Sequence, residues 1–329
     1  MAIDWEPLRA IINDNQRFVL TTHVRPDADA LGSELGMAGI LEHLGKTVRI
    51  VNSSAVPPRL AFLDPGKRCL QLGNGITEEQ ALDTDVHIVL DCSSWGQLAE
   101  MGRVFRRTKA TKLVIDHHAS SEDIGGKEFK DVTSEATGAL VFQVAMALKV
   151  PVSQAMANAL YCAIATDTGW FRFPSTTSST MRTIASLVDF GAQPALLYRQ
   201  LYEQCTPGRI KLAGRVMARV TLECGGKLAH TYVEYKDYQE TGADPSDTED
   251  MVNYCLTIAG VDAAFIQIEQ SNTQIKTSFR SRSHLDVNQV AEQFQGGGHK
   301  QAAGAILPGP LVEARARVLN AMKTFVGNM

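Results

Sequence analysis

The chain lacks the features of several large protein classes. Its six cysteines include no CxxC pair, so they predict neither a disulfide framework nor a zinc site but reduced, mostly buried thiols. No uncharged apolar run reaches about 18 residues, so we expect no membrane span. The opening MAIDWEPLRA is interrupted by charge and does not resemble a signal peptide. These absences predict a cytoplasmic protein.

An excess of either charge is also missing. The 329 residues include 32 Lys and Arg against 36 Asp and Glu, a net charge of −4. This balance argues against long duplex DNA as a partner, because binding it requires many phosphates to be neutralised. A small anionic ligand held by a few local cations is compatible with the balance. The length allows two domains.

The order of strand and helix patterns predicts two α/β domains. Four short apolar runs have the pattern of buried strands: 17–23, 47–54, 85–94 and 112–120. Helical patterns separate them, which predicts a doubly wound, mostly parallel sheet. Residues 134–205 are almost entirely helical in pattern. Hairpins at 214–235 and 262–281, with helical patterns at 286–294 and 310–325, predict a smaller α/β domain. We expect domains at 1–190 and 207–329 with a helical linker at 191–206.

Polar side chains collect where these apolar segments end. His23, Asp27 and Asp29 follow the first predicted strand, Asp91 ends the third, Asp116, His117 and His118 end the fourth, and Asp167 follows an apolar helix. Ligands of a parallel sheet bind beyond the carboxyl ends of its strands, so we expect these residues to share one cleft. Taken singly, Asp27 could be a helix cap and Asp91 a turn residue. Their coincidence in one domain favours a metal site.

The types of donor indicate the cation. So many carboxylates repel one another in a cleft unless cations neutralise them. Mixed imidazole and carboxylate ligands favour Mn²⁺, Fe²⁺ or Zn²⁺ over calcium, and an oxygen-rich set leans toward manganese. We predict two Mn²⁺ per chain, bridged by one carboxylate, with Mg²⁺ or another divalent ion as the alternative. Such a pair supports phosphoester hydrolysis by in-line displacement.

Five ordered motifs resemble a known family. The segments HVRPDADALGSELG, VLDCSS, IDHHAS and ATDTGWFRFPST resemble, in this order, the motifs of the DHH phosphoesterase superfamily. The segment GGGHKQAAG, preceded by FRSR, resembles the DHH-associated C-terminal domain. The two-domain layout is most similar to the nanoRNase and pAp-phosphatase branch. The resemblance implies an exonuclease that degrades short oligoribonucleotides to mononucleotides and removes the 3′-phosphate of adenosine 3′,5′-bisphosphate (pAp). It places the active site in the cleft between the domains.

The resemblance also implies a role for each matching residue. His23 and Asp27 would bind one metal ion, Asp29, His117 and Asp167 the other, and Asp91 would bridge the two. Asp116 would orient an imidazole, and His118 would face the substrate as phosphate ligand or general acid.

The resemblance implies a phosphate clamp in the second domain, made of Arg280, Ser281, Gly296, Gly297, Gly298 and His299. Arginine can bind a phosphate bidentately, and glycine backbone N–H groups can form an anion nest. A glycine-rich surface loop beside an edge strand is the ordinary alternative.

Three other functions stay open from the motifs. A manganese inorganic pyrophosphatase shares the catalytic motifs, but FRSR and GGGH argue against it. A phosphodiesterase acting on cyclic di-AMP or pApA is compatible with every motif. A catalytically inactive nucleotide sensor would have no need of a bridging Asp91. The resemblance favours a homodimer and leaves open the preferred substrate, the direction of attack and the physiological metal.

Overall fold

The computed structural model describes residues 3–119, 122–282 and 285–327. The chain divides into two compact units, Met1–Gln204 and Cys205–Met329. The helix Pro194–Tyr202, which lies within the predicted linker, belongs to the N-terminal unit, and its Leu197 lies in the core of that unit. None of the helices in the described ranges is both long and apolar enough to cross a bilayer.

The N-terminal unit alternates strands and helices before it becomes wholly helical. Its elements are α1 (Glu6–Asp14), β1 (Arg17–Thr21), α2 (Ala28–His43), β2 (Thr47–Asn52), a 3₁₀ helix (Pro58–Leu63), β3 (Cys69–Leu72), β4 (Gly75–Ile76), α3 (Glu78–Leu82), β5 (Val86–Leu90), α4 (Trp95–Arg107), β6 (Thr111–Asp116), β7 (Lys127–Lys130), α5 (Thr137–Leu148), α6 (Gln154–Asp167), α7 (Ser178–Asp189) and α8 (Pro194–Tyr202). The four predicted strands and the helices after 134 are confirmed. The short strands β3, β4 and β7 were not predicted.

All seven strands of this unit form one parallel sheet, in the order β4-β3-β2-β1-β5-β6-β7. The chain winds outward from β1 to β4 and then returns to the other side of β1 with β5. The strand order therefore reverses between β1 and β5, the place where ligands of doubly wound sheets bind. Every residue of β5 is buried, as expected of a parallel strand covered on both faces.

Helix α2 packs very closely on α6, and small residues allow the approach. A side chain at Gly32 would come within 2.3 Å of the Ala159 carbonyl oxygen on α6. Glycine is therefore required at this point of α2. The close contact matters for function because α2 begins next to Asp29 and α6 ends at Asp167.

The C-terminal unit is built on a mixed sheet. Its elements are α9 (Pro207–Ala218), β8 (Thr221–Glu223), a 3₁₀ turn (Cys224–Gly226), β9 (Leu228–Val233), α10 (Tyr235–Thr241), a 3₁₀ turn (Pro245–Thr248), α11 (Val252–Leu256), β10 (Ala263–Glu269), β11 (Gln274–Ser281), α12 (Asn288–Glu292), β12 (Gly297–His299), β13 (Ala302–Pro308) and α13 (Leu311–Gly327). The strand order is β12-β13-β11-β10-β9-β8. Strands β9 and β10 are parallel, and the other pairs are antiparallel.

The sequence predictions for this unit are partly right. The hairpin β10–β11 and the two C-terminal helices are confirmed. The hairpin predicted at 214–235 is too long, because residues up to Ala218 belong to α9 and β8 has only three residues. Thr206 caps this helix and Pro207 begins it, a start signal that outweighs the strand-like run after it. Strands β12 and β13 were not predicted.

Candidate active site

The eight predicted polar residues of the N-terminal unit gather at one edge of its sheet. His23 follows β1, Asp27 and Asp29 lie at the start of α2, Asp91 follows β5, Asp116, His117 and His118 lie at the end of β6, and Asp167 is the last residue of α6. Strands β1, β5 and β6 are neighbours in the parallel sheet, so their carboxyl ends meet at this edge. The strand order therefore brings the polar residues at the strand ends together, as the sequence predicts.

The two aspartates of the DAD segment have different environments. Asp27 caps α2 by accepting a hydrogen bond from the Ala30 N–H at 3.0 Å, and half of its side chain is exposed. Asp29 is buried and accepts hydrogen bonds of 2.8 Å each from the N–H groups of Thr137 and Gly138. These two amides begin α5, so the positive end of that helix holds the Asp29 carboxylate.

Asp91 lies at the centre of the cluster. It is 2% exposed, and its φ of 57° is left-handed, a conformation that occurs more often in aspartate than in most residues. Its Oδ2 atom lies 3.7 Å from His23 Nε2, and its Oδ1 atom lies 3.6 Å from His117 Nε2. The Thr137 hydroxyl donates to Oδ1 at 2.9 Å. The two oxygens of one carboxylate thus face two different imidazoles.

Hydrogen bonds to the backbone fix how both imidazoles are protonated. His23 Nδ1 lies 3.1 Å from the Val24 carbonyl oxygen, and His117 Nδ1 lies 3.1 Å from the Ser134 carbonyl oxygen. A carbonyl oxygen can only accept, so each Nδ1 carries the proton. In the neutral ring the Nε2 lone pair is then directed at the carboxylates, the arrangement typical of metal-binding histidines.

Two sets of possible ligands result. His23, Asp27 and Asp91 offer atoms that all lie within 4.8 Å of one another, and so do Asp29, His117 and Asp167. A third set, Asp91, His117 and His118, overlaps the second. Because Asp91 contacts both imidazoles, the first two sets are adjacent. Their members are those of the two ligand groups predicted from the sequence, and the binding of metal ions by them, with Asp91 as the bridge, stays a prediction.

The carboxylates in this cluster disfavour being charged together. Burial raises the pKa of Asp91 well above its usual value, and repulsion from Asp29 and Asp27 adds to the shift. Burial likewise raises the pKa of Asp167 to about 7, with Asp29 adding to the shift. Burial raises the pKa of Asp29 as well. Such a set needs positive charge from outside the protein, so the donor chemistry fits divalent cations.

Asp116 serves a different purpose from its neighbours. Its Oδ1 accepts the His118 Nδ1–H at 2.8 Å, and its Oδ2 accepts the Ser93 hydroxyl at 2.5 Å. Lys130 Nζ lies 3.3 Å from the same Oδ2. Burial would raise the pKa of Asp116, but the bonds from His118 and Ser93 outweigh it and lower the pKa. The carboxylate therefore stays charged and orients His118, whose Nε2 is left for another partner.

Several residues of this network were not singled out from the sequence. Ser134 orients His117 through its carbonyl, Thr137 holds Asp91 and Asp29, and Lys130 supports Asp116. A weak signal existed for one of them, because Thr137 and Gly138 begin an apolar helix and free N–H groups at a helix start attract anions. Backbone carbonyls and the lysine give no sequence signal.

Comparison with known proteins assigns the chain to a family. Residues 17–164 match the DHH family, N-terminal domain, and residues 225–328 match the DHHA1 domain. A Thermus thermophilus protein named bifunctional oligoribonuclease and PAP phosphatase NrnA is 31% identical, over 97% of this chain and 94% of its own length. The chain belongs to the DHH phosphoesterase family. It is therefore a phosphodiesterase or phosphatase that depends on metal ions.

Other relatives extend this similarity. A Bacillus subtilis protein of the same name is 28% identical over 87% of this chain and 88% of its length. The crystal structure of an exopolyphosphatase-related protein from Bacteroides fragilis superposes with a TM-score of 0.89 at 25% identity, covering 97% of this chain and 95% of that one. A cyclic-di-AMP phosphodiesterase, GdpP, from Geobacillus thermodenitrificans is 27% identical over 91% of this chain but only 46% of its own length.

The predicted phosphate clamp lies in the DHHA1 domain, on β11 and β12. The Arg280 side chain is 28% exposed; its Nη1 donates to the Phe279 carbonyl oxygen at 3.0 Å, and its Nη2 lies 3.9 Å from Asp250 Oδ1. The Ser281 hydroxyl is buried and donates to the Leu285 carbonyl oxygen at 2.8 Å. Arg280 thus keeps donors for a ligand, while the single proton of Ser281 is used within the protein. Their role as a clamp stays a prediction.

The glycines of the clamp are explained by strand packing. Gly297, Gly298 and His299 form β12, paired antiparallel with β13. A side chain at Gly298 would lie 2.5 Å from the Ala302 carbonyl oxygen, and one at Gly296 would lie 2.2 Å from the Gly304 carbonyl oxygen. Both positions therefore require glycine whether or not a ligand binds. The side chain of His299 lies outside the described part of the structure, and the anion nest stays a prediction.

Proposed function

We propose that this enzyme hydrolyses short oligoribonucleotides to mononucleotides and removes the 3′-phosphate of pAp, using two Mn²⁺ ions. Catalysis is assigned to residues 1–190 and substrate binding to 207–329. The proposal is carried by one observation: two adjacent sets of imidazole and carboxylate groups meet at Asp91, whose two oxygens lie 3.7 Å from His23 Nε2 and 3.6 Å from His117 Nε2. The relatives that carry this activity in their names resemble the chain over most of its length.

Each ion has its own proposed ligands. His23 and Asp27 would hold one ion, Asp29, His117 and Asp167 would hold the other, and Asp91 would contribute to both. When bound, a pair of divalent cations activates water and neutralises phosphoryl oxygens during in-line displacement. Helix α5 supports the bridge and one terminal ligand at once, because Thr137 and Gly138 bond to Asp91 and Asp29. Manganese is favoured by the oxygen-rich donor set.

His118 is proposed to act on the substrate. Its Nδ1–H is held by Asp116, so Nε2 can donate a proton to a phosphate oxygen or to the leaving oxygen. The hydrogen bond to Asp116 raises the pKa of His118, and burial opposes the shift. The hydrogen bond to Asp116 therefore stabilises the imidazolium form relative to a free imidazole, the direction that suits a general acid.

The DHHA1 domain is proposed to hold the far phosphate of the substrate. Arg280 is the principal group, joined by Ser281, His299 and the backbone of Gly296, Gly297 and Gly298. With the terminal phosphate bound there, the next phosphoester of a short substrate is proposed to be the one hydrolysed. With pAp, that ester is the 3′-monoester, and with an RNA dimer it is the internal diester. One arrangement thus serves both activities.

A substrate panel tests the proposal. We expect the purified enzyme with Mn²⁺ to convert 5′-labelled RNA dimers and trimers to mononucleotides and to release phosphate from pAp. EDTA should stop both reactions, and restoring Mn²⁺ should recover them. Duplex DNA and pyrophosphate serve as negative substrates. Turnover of pyrophosphate alone, or no turnover of any short nucleotide by metal-loaded enzyme, would contradict the proposal.

A second candidate activity is hydrolysis of cyclic di-AMP or its linear product pApA. The similarity to GdpP favours it, although this chain spans less than half of that protein. Including both dinucleotides in the panel decides between the two functions. The candidate prevails if cyclic di-AMP is hydrolysed faster than RNA dimers and pAp.

We also propose that the enzyme is a cytoplasmic homodimer. All six cysteines are free thiols in the structure, which suits a reducing compartment. The dimer rests on family resemblance, and light scattering of the purified protein at micromolar concentration measures it directly.

A further inference from the structure

A pocket of the N-terminal unit lies apart from the ligand cluster and has no role in the proposed metal chemistry. Its volume is about 620 Å³, and Trp170, Leu196, Tyr198, Arg199 and Glu203 are among its lining residues. Trp170 follows the turn after α6, and the other four belong to α8 or its C-terminal end. The pocket thus combines aromatic rings with charged groups of both signs.

Two aromatic rings, Trp170 and Tyr198, line this pocket, and Tyr202 packs against both without lining it. The Tyr198 ring lies 5.0 Å from the Trp170 ring, and the Tyr202 ring lies 5.5 Å from it, both in edge-on arrangements. Tyr198 is 40% exposed and Tyr202 45% exposed. On the same helix Leu197 is buried in the core and Leu201 packs partly against it, whereas both tyrosine rings keep exposed surface. Exposed rings held by rigid neighbours make good stacking surfaces for planar ligands.

Positive charge surrounds these rings. Among the residues that the structure describes, the Arg199 guanidinium makes no hydrogen bond or ion pair. Burial raises the pKa of Tyr202, and the guanidinium groups of Arg172 and Arg59 lie close enough to oppose the shift. Of the lining residues, Arg199 carries the positive charge and Glu203 the negative charge. Aromatic rings beside a guanidinium without a bonded partner match the chemistry of a nucleotide, which carries a planar base and a phosphate.

The pocket also lies within reach of the proposed metal site. Trp170 comes three residues after Asp167, so their Cα atoms are at most about 11 Å apart. The turn between them is tight, because the Trp170 N–H donates back to the Ala165 carbonyl oxygen at 2.6 Å. A nucleoside attached to a phosphate at the metal site could therefore extend to this pocket.

We propose that this pocket binds the nucleoside on the far side of the scissile phosphate in an oligoribonucleotide. The inference rests on the proposed function and deepens it. In the proposed arrangement pAp has one nucleoside, between the clamp and the metal ions, and nothing beyond its 3′-phosphate. An RNA dimer has a second nucleoside beyond the scissile ester. The pocket would then contribute to RNA cleavage and not to pAp hydrolysis.

The test compares two substrates in the same variants. Tyr198→Ala removes a stacking ring, and Arg199→Gln removes the free guanidinium. We expect each to lower kcat/KM for a 5′-phosphorylated RNA dimer about tenfold, the scale of one lost base stack. Hydrolysis of pAp should stay within twofold of the wild-type rate. Tyr198→Phe keeps the ring and should restore dimer cleavage. Arg182→Gln and Met181→Ala, exposed on α7, are matched controls that should change neither rate.

Each outcome decides the inference. A selective loss on the dimer, rescued by Tyr198→Phe, supports it. Three results would overturn it. They are an equal loss of activity on both substrates, no loss of activity on either, and an equal loss together with a change in the molecular mass measured by light scattering. The last result would identify the pocket as a subunit contact. Failure of the proposed function looks different, because the wild-type enzyme would then cleave neither RNA dimers nor pAp.

Discussion

The two units of this chain bring functional groups together in different ways. In the N-terminal unit, residues separated by up to 144 positions, from His23 to Asp167, meet because parallel strands end at one edge of a sheet. In the DHHA1 domain, the proposed clamp residues lie on an antiparallel ladder, where β11 and β12 both pair with β13. Arg280 and Ser281 donate hydrogen bonds within their own unit, and strand packing requires Gly296 and Gly298.

This difference teaches where sequence motifs are informative. Among the described residues, Asp91 contacts imidazoles and the Thr137 hydroxyl but no lysine or arginine, so its buried carboxylate at a parallel strand end points to a ligand. A glycine such as Gly298, by contrast, is explained by the neighbouring strand alone. The metal site is therefore supported by unmet charge, and the clamp depends on family resemblance and on the free donors of Arg280.

The largest expected effect tests the bridge. Asp91→Asn should lower kcat for both RNA dimers and pAp by about a thousandfold, because one carboxylate serves both ligand sets. Rates are measured at saturating Mn²⁺, with metal content by mass spectrometry. Asp85→Asn is the matched control: Asp85 precedes the same strand and pairs with Arg17 at the opposite edge of the sheet. A near-normal rate in Asp91→Asn would contradict the proposal that Asp91 binds the metal ions needed for hydrolysis.

A smaller effect is expected at the clamp. Arg280→Gln should lower kcat/KM for a 5′-phosphorylated RNA dimer about 10- to 100-fold, the scale of a lost charged hydrogen bond. The same dimer with a 5′-hydroxyl should be cleaved at an unchanged rate, since it has no phosphate for the clamp. Lys276→Gln, an exposed change on the same strand, is the control. Equal effects on the two dimers would remove Arg280 from the clamp.

Loss of the hydrogen bond from Thr137 on α5 to Asp91 should lower the affinity for Mn²⁺. Thr137→Val keeps the shape of the side chain and removes the hydroxyl that donates to Asp91. We expect the Mn²⁺ concentration for half-maximal activity to rise about tenfold, as for other groups that orient metal ligands. At high Mn²⁺ most of the activity should return. Thr133→Val, at an exposed threonine bonded to Asp131, should leave the titration unchanged; a matching shift there would argue against a specific role for Thr137.

The last prediction concerns the stability of the N-terminal unit and a buried acid on α2. Glu34 is fully buried, accepts a hydrogen bond from Asn52 at 2.8 Å, and burial raises its pKa to about 8. The folded protein therefore keeps a proton on Glu34 between about pH 4.5 and 8, where the unfolded chain has lost it. Stability falls as pH rises through this window, by about 1.4 kcal/mol per unit.

Glu34→Gln removes this pH dependence. We expect the variant to gain stability over the wild type as pH rises from 5 to 8, with little difference at pH 5, measured by urea unfolding. The exposed Glu42, on the same helix and paired with Arg68, gives the control Glu42→Gln, which should cost under about 1 kcal/mol at any pH. A stability gap for Glu34→Gln that does not widen with pH would show that Glu34 is charged in the folded state.

The sequence by itself determined the parallel-sheet class of the N-terminal unit and the residues at its strand ends. Apolar runs followed by Asp and His are visible in the order of residues, because a strand buried on both faces must be continuous in hydrophobicity. The ordered motifs identified the family. Strands β12 and β13 escaped prediction because the glycines and alanines with which they begin are disfavoured in strands.

Only the tertiary structure decided which ligands face each other. The pairing of Asp91 with both His23 and His117 depends on the strand order β1-β5-β6, and strand order is set by contacts between segments far apart in the chain. The same holds for Lys130 beside Asp116 and for the aromatic pocket at Tyr198, since neither has a local signal. The local sequence determines which chemistry a residue offers, whereas long-range packing determines which residues it contacts.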